Sequence, residues 1–401
     1  MASNLFPETT MKSFLLVAAD FVKTGGMDRA NYALADYLAR QSVEVHLVAH
    51  RVDSQLQNYP NVFWHRVPKI AKSYFLGEFL LNAAGQFWAK RITAQGGRVL
   101  VNGGNCRWSD VNWVHYVHAA YQPNTQASFV QRLKCALTHP IYCQAEKRSL
   151  KNARIIIANS HRTVSDLIRY KLATPAKICP VYYGSDSSKF YAAGVEEVKF
   201  LRQKLNLPLN RSIVIFIGAL GDRRKGFDVL FQAWQQLCQD PTWDSDLIVV
   251  GQGAELPRWR QRVRDQQLSD RIQFLGFRSD VPDLLRASDC LIAPTRYEAY
   301  GLGVHEALCC GIPAIVTATA GVAERYTQGL TDLLLTDANN VSHLIDKLYH
   351  WRSHQNYYQQ ILHTQVIPQL HRETWDHMAK QIVDAVETPT SSTVQTQYSM
   401  R

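Results

Sequence analysis

Short apolar runs alternate with helix-length segments along nearly the whole chain, and halfway along the alternation starts afresh. That rhythm constrains the fold more than any other feature, because strand–helix–strand units build parallel sheets covered by helices. In the first half the strand-like runs are Phe14–Ala18, Val43–Val48, Val62–Val67, Val99–Val101, Trp113–Val117, Ile155–Ala158 and Ile178–Val181. Helical stretches lie between them at Asp28–Arg40, Ile70–Ile92, Ala127–Lys151 and Thr163–Tyr170. The second half restarts with strand-like Ile213–Ile217, Leu247–Val250, Ile272–Leu275, Cys290–Ala293 and Ala314–Val316, separated by helices near Asp228–Cys238, Glu255–Gln266, Val304–Cys310 and Ser342–Trp351.

The fold class expected is therefore α/β, two doubly wound domains with a ligand cleft between the carboxyl ends of their strands. A chain of 401 residues suits this division, being longer than one core usually fills. The joint falls in the polar stretch 185–212, giving a first domain over 1–190 and a second over 191–370. A last helix over His371–Val386 is expected to pack back on the first domain, and the Thr/Ser/Gln-rich tail 388–401 reads as disordered. No apolar run approaches the roughly 18 residues that span a bilayer. Met11-Lys12-Ser13 before FLLVAA imitates a short export signal, but Asp20 ends the run without a cleavage spacing, so it reads as a buried first strand.

Charge is placed unevenly. Residues 1–190 hold 23 Lys/Arg against 11 Asp/Glu, whereas 191–401 hold 21 against 23. A basic first half favours an anionic partner such as a phosphorylated substrate or lipid surface. It lacks the interleaved aromatic platform of a nucleic-acid reader. None of the eight cysteines has CxxC or metal-ligand spacing, which reads as reduced thiols and a cytoplasmic setting. The DxD motif, Asp244-Ser-Asp246, precedes a strand at the end away from the cleft and reads as a solvated loop, so no metal site is expected.

The densest chemical signal is Pro294-Thr-Arg-Tyr-Glu298-Ala-Tyr300-Gly301-Leu302-Gly303-Val-His-Glu306, running on to Gly311 and Pro313. A strand runs into a glycine turn that opens a helix, and the free N–H groups there, with the helix dipole, suit a diphosphate. Glu298 and Glu306 would repel phosphate, so they fit as acceptors for hydroxyls on either side of it. That combination describes a nucleotide sugar. A second turn, Gly218-Ala219-Leu-Gly221-Asp-Arg223-Arg224-Lys225-Gly226, follows another strand, and its three consecutive cations suit phosphate oxygens. Gly25-Gly26 opens the first long helix without the GxGxxG pattern of a dinucleotide site. His118 is placed at the carboxyl end of the strand Trp113–Val117, facing the cleft, and His115 on the opposite face. Asn159-Ser160 follows the strand Ile155–Ala158 and suits a helix cap.

With these motifs in this order, the chain resembles the retaining glycosyltransferases of family 4, which have the GT-B fold of two facing Rossmann-like domains. The resemblance implies that Glu298 contacts the donor sugar and Glu306 the ribose, with the diphosphate on the backbone amides of Tyr300, Gly301 and Leu302. It places Gly25, Gly26, Gly218 and Lys225 at the donor and His118 near the reacting carbon. Family members usually carry an arginine where this chain has Ala219, and Arg223 or Arg224 is the expected substitute. The implied activity is metal-independent, cofactor-free transfer of a sugar from a nucleoside diphosphate to an acceptor hydroxyl. The implied acceptor is a sugar, a lipid-linked molecule or a polysaccharide. The basic, aromatic segments Ile70–Ile92 and Ala127–Lys151 add possible peripheral contact with an anionic membrane. Two alternatives stay open: a donor-binding but inactive scaffold, suggested by Ala219, and a sugar- or sugar-phosphate-forming synthase of the same fold.

Overall fold

The computed structural model describes residues 13–69, 74–121, 129–221 and 223–387. Met11, Lys12 and the tail 388–401 lie outside them, as do Asp222 and the start of the expected helix Ile70–Ile92.

The first half contains β1 (Ser13–Val17), β2 (Asp20–Phe21), β3 (Glu44–Ala49), β4 (Arg51–Val52), β5 (Val62–Arg66), β6 (Arg98–Asn102), β7 (Val111–Val114), β8 (Ile155–Ala158) and β9 (Ile178–Pro180). Seven of these form one parallel sheet in the order β5-β3-β1-β6-β7-β8-β9, and β2 pairs with β4 separately. The second half contains β10 (Ser212–Ile217), β11 (Ser245–Val250), β12 (Ile272–Gly276), β13 (Cys290–Ala293), β14 (Ala314–Thr317) and β15 (Leu334–Leu335), ordered β12-β11-β10-β13-β14-β15. In both sheets the strand order reverses at the first strand. The crevice that such a reversal leaves at the carboxyl ends is where ligands enter a doubly wound sheet. Uninterrupted burial of β1, β8, β11 and β13 follows from helices on both faces of a parallel sheet.

Two expected elements end differently. The strand placed at Trp113–Val117 occupies Val111–Val114, because its neighbours β6 and β8 run out of pairing partners at Asn102 and Ala158. His118 therefore does not end a strand; it opens a 3-10 turn, His118–Ala120. The final helix is also broken. Helix Ile367–Arg372 stops, and helix Trp375–Glu387 begins after two residues that pair with the interdomain joint. Ser185 bridges to Thr374, its N–H donates to the Glu373 carbonyl at 2.9 Å, and its hydroxyl donates to the Leu370 carbonyl at 3.1 Å. A Cβ on Gly184 would lie 2.3 Å from the Thr374 backbone, so the two chain crossings touch. Beyond the crossing, Met378, Ala379, Ile382 and Val383 join the core of the first sheet, against helix Gly26–Arg40.

Candidate active site

A cleft of about 810 Å³ lies where the two switch points face each other. Its lining comes from the segments after β1, β6, β7, β8 and β9 on one side and after β10 and β13 on the other.

On the second-domain side, the loop after β13 brings Glu298 against the turn after β10. Lys225 Nζ donates to the Glu298 carboxylate, and the Arg224 guanidinium stands 3.8 Å from it. Burial pushes the Glu298 carboxyl up, but Lys225 and Arg224 outweigh it and hold the group below the usual carboxylate range. Gly301 caps helix Leu302–Cys309 with φ 111, and a Cβ there would sit 2.9 Å from Val322 and 3.3 Å from Glu298 Cγ. Only glycine fits that turn. Gly301, Leu302 and Gly303, at the start of the helix, line the cleft beside Lys225 and Arg224, an arrangement that attracts phosphate.

The cationic turn is split. Arg224 and Lys225 line the cleft. Arg223, in a left-handed conformation (φ 53), reaches instead toward Asp228 at 3.7 Å and Glu255 at 4.0 Å, and is not among the cleft-lining residues. Of the two expected substitutes for the missing arginine at Ala219, the structure thus brings only Arg224 to the site. The turn is held by Arg296, which sequence reasoning missed. Its guanidinium donates to both Asp228 oxygens at 2.7 and 2.9 Å and to the Arg223 carbonyl at 2.6 Å. An arginine two residues before the site glutamate gave no distinctive signal.

On the first-domain side, Gly25 (φ 83) caps helix Gly26–Arg40, and Gly26 packs against Leu302. Two helix N-termini therefore converge, Gly25-Gly26 from one domain and Gly301 to Gly303 from the other. Glu306 does not reach the cleft lining; it turns to Arg29 in the first turn of the facing helix and forms a partly buried ion pair. Burial still raises its carboxyl, although Arg29 opposes the shift. Glu306, expected to accept from a hydroxyl, thus meets a cation of the other domain.

His118 lines the cleft, and so does His115, which strand alternation had placed on the far side. Because β7 ends at Val114, the alternation no longer applies at 115. His115 Nδ1 is 2.5 Å from the Tyr183 hydroxyl, and its carbonyl accepts from Asn159 at 3.1 Å. Burial, with His139 nearby, lowers His118 to about 4, so its ring is neutral at pH 7. Ser160 caps helix His161–Arg169, as expected, and also donates to the Ala299 carbonyl of the other domain at 2.6 Å. Helix Phe129–Asn152 supplies a wall that sequence reasoning did not place in the cleft: Cys135, Thr138, His139 and Tyr142.

The expected solvation of the DxD motif holds for Asp244, which is 47% exposed and paired with Arg352. Asp246 is buried in β11 instead, accepting from Arg211 and Arg271 at 2.9 Å each. Among the described residues, no group of three or more His, Cys, Asp and Glu side chains is arranged to hold a metal ion. The basic excess of the first half also misses the cleft: among the described lining residues, the lysines and arginines are Arg224 and Lys225, both from the second half.

Two facing Rossmann-like domains with a cleft between their switch points define the GT-B class of α/β proteins. The model for Glycosyltransferase Family 4 matches residues 24–189, and that for Glycosyl transferases group 1 matches 211–353. Together they cover well over half of the sequence, and the chain belongs to the family 4 glycosyltransferases. It is 29% identical over 248 residues to D-inositol 3-phosphate glycosyltransferase of Corynebacterium jeikeium, covering 59% of this chain and 58% of that protein. It is 23% identical over 328 residues to N-acetyl-alpha-D-glucosaminyl L-malate synthase of Bacillus anthracis, covering 78% and 81%. Among solved structures, sucrose-phosphate synthase from Thermosynechococcus elongatus superposes with a TM-score of 0.74 at 20% identity, covering 93% of this chain and 98% of that one. Anabaena HepE in complex with UDP and glucose gives 0.66 at 20% identity, covering 94% and 100%. At these identities the structural likeness is one of fold.

Proposed function

We propose that the protein is a retaining, metal-independent glycosyltransferase that moves a sugar from a nucleoside-diphosphate sugar to an acceptor hydroxyl in polysaccharide, glycoconjugate or glycolipid synthesis. The observation that carries this reading is Glu298 held between Lys225 and Arg224 beside two converging helix N-termini. Lys225, Arg224 and the amides of Tyr300, Gly301 and Leu302 hold the diphosphate and stabilise the charge that builds on it as it leaves. Glu298 accepts from hydroxyls of the sugar, and neutral His118 faces the reacting carbon. Retention corresponds to attack from the face on which the diphosphate departs, with the leaving phosphate taking the acceptor's proton. Glu306 accepts from the ribose only if Arg29 shares or yields it, so donor binding and the contact between the domains are linked through that pair.

The acceptor side of the cleft carries Asn102, Asn105, Tyr116, Thr138 and Tyr142. Among the described lining residues on that side there is no Lys or Arg to meet a phosphate, so these rings and amides suit an uncharged polyol or sugar better than a phosphorylated one. This differs from the anionic partner that the basic first half suggests. Peripheral membrane contact belongs to the same reading. Phe79 and Phe87 on helix Tyr74–Ala94 and Leu133, Leu137 and Ile141 on helix Phe129–Asn152 are exposed, with Arg91 stacked on Phe87. Among the described residues, no helix is long and apolar enough to cross a membrane. Co-sedimentation with anionic lipid vesicles is expected, and to fall when Phe79 and Phe87 are both changed to Ser.

Thermal unfolding against uridine, guanosine and adenosine diphosphates tests the donor site. At about one hundred times its dissociation constant a ligand adds roughly 2.7 kcal/mol, a shift of several degrees in a chain of this size. Stabilisation by one base alone supports the reading and narrows the donor. No stabilisation by any of them removes it. Binding without turnover of any nucleotide sugar favours the inactive scaffold, which Ala219 keeps in view, and acceptor profiling separates transferase from synthase.

A further inference from the structure

His118 lies beyond the last paired residue of β7, so no sheet hydrogen bond fixes it. One face of helix Phe129–Asn152 holds it instead. The Glu146 carboxylate accepts from the His118 N–H at 2.9 Å and the Ala119 N–H at 3.2 Å. His139 Nε2 lies 3.0 Å from the His118 carbonyl and donates to it. The Tyr142 ring stacks on the His118 imidazole, with centroids 5.1 Å apart and planes 13° off parallel. Positions 139, 142 and 146 follow the spacing of one helix face, so backbone donor, backbone acceptor and ring are all gripped from the same side.

We propose that Glu146 is a positioning residue for sugar transfer: its buried carboxylate fixes the backbone of His118 and so sets that histidine against the donor sugar. The proposal rests on the glycosyltransferase reading. Two diverging N–H donors need two acceptor oxygens. A glutamine in the same place offers one oxygen, and its NH₂ opposes the second donor. Stability alone does not account for a carboxylate here. Glu146 is fully buried, and burial raises it to about 7 although the His118 and Ala119 amides pull it down. A carboxyl whose folded value is raised costs stability once the pH passes its unfolded value. That cost is of the kind found at functional positions.

The test uses the full chain and its Glu146→Gln and Glu146→Asp variants. Nucleotide binding is measured with UDP, GDP and ADP, transfer with UDP-glucose, UDP-N-acetylglucosamine and GDP-mannose, and hydrogen exchange at the His118 and Ala119 amides. The Gln variant is expected to bind nucleotide as the wild type does, to exchange both amides faster, and to lose roughly tenfold or more in kcat with little change in the donor KM. Wild-type kcat is expected to rise with pH through about 7 as Glu146 ionises. That limb disappears in the Gln variant and persists, at lower kcat, in the Asp variant. Other titratable groups face Glu146: His118 and Tyr297 across the gap, and His139 and Cys143 on its own helix. They stay in place in both variants, so loss of the limb is assigned to Glu146. Unchanged exchange at the two amides, or wild-type kcat and pH profile in the Gln variant, overturns the proposal. A wild type that binds none of the nucleotides overturns the glycosyltransferase reading instead, and the exchange measurement still decides whether Glu146 holds His118.

Discussion

Lys225→Ala is expected to lower kcat/KM by about 10²–10³, the loss typical of one preorganised donor aimed at developing charge. Two effects combine. The leaving diphosphate loses the ammonium that neutralises it, and Glu298 loses its hydrogen-bonded partner, keeping only Arg224 at 3.8 Å. Burial then dominates, so the Glu298 carboxyl rises from its depressed value. The variant's remaining activity should therefore fail at a higher pH than the wild type's as the medium is acidified, because a protonated carboxyl no longer accepts fully from the sugar hydroxyls. Lys225→Arg is expected to recover part of the loss, since it restores charge but not the compact ammonium. Steady-state kinetics across pH on all three proteins checks this, and an unaltered kcat/KM in the Ala variant would remove Lys225 from the site.

Gly226→Ala is expected to be strongly damaging for so small a substitution near the site. Gly226 has φ 73, and a Cβ there would lie 1.9 Å from the Pro294 carbonyl oxygen. Left-handed strain alone costs of order 1–3 kcal/mol, and a backbone–backbone clash cannot be relieved by a rotamer change. The contact joins the turn carrying Arg224 and Lys225 to the loop carrying Glu298, which Arg296 and Asp228 brace from the other side. The substitution should lower Tm by several degrees and abolish nucleotide binding at concentrations that saturate the wild type. Calorimetry with and without nucleotide measures both. A variant that unfolds at the wild-type temperature would show that the two loops separate without cost.

The alternation of apolar runs was enough to show two parallel sheets, since period and length distinguish a buried strand from a helix. The geometry of the loop from Glu298 to Gly303 was equally legible, because a glycine turn between strand and helix marks where the chain meets the cleft. What stayed hidden was set by partners distant in sequence. Arg29 and Glu306 are 277 positions apart, so nothing local marks them as a pair. The end of β7 is decided by where β6 and β8 stop, and so the placement of His115 by alternation failed while His118 reached the cleft by another route. The break before Trp375 contains neither Gly nor Pro; Ser185 makes it. Helix Phe129–Asn152 has no clean apolar stripe, and its role as a cleft wall emerges only once the chain has brought it beside His118.

The return of the chain at Thr374 also bears on how the protein is made. Helix Trp375–Glu387 is made only after the whole second domain, yet its Met378, Ile382 and Val383 complete the core of the domain that precedes that one. Until then the apolar face of helix Gly26–Arg40 that it covers stays open to water, through the synthesis of an entire second domain. Nascent chains stalled after helix Gly26–Arg40 but before residue 375 carry that uncovered face. They are thus the species most exposed to aggregation and most in need of a chaperone, however complete their remaining strands.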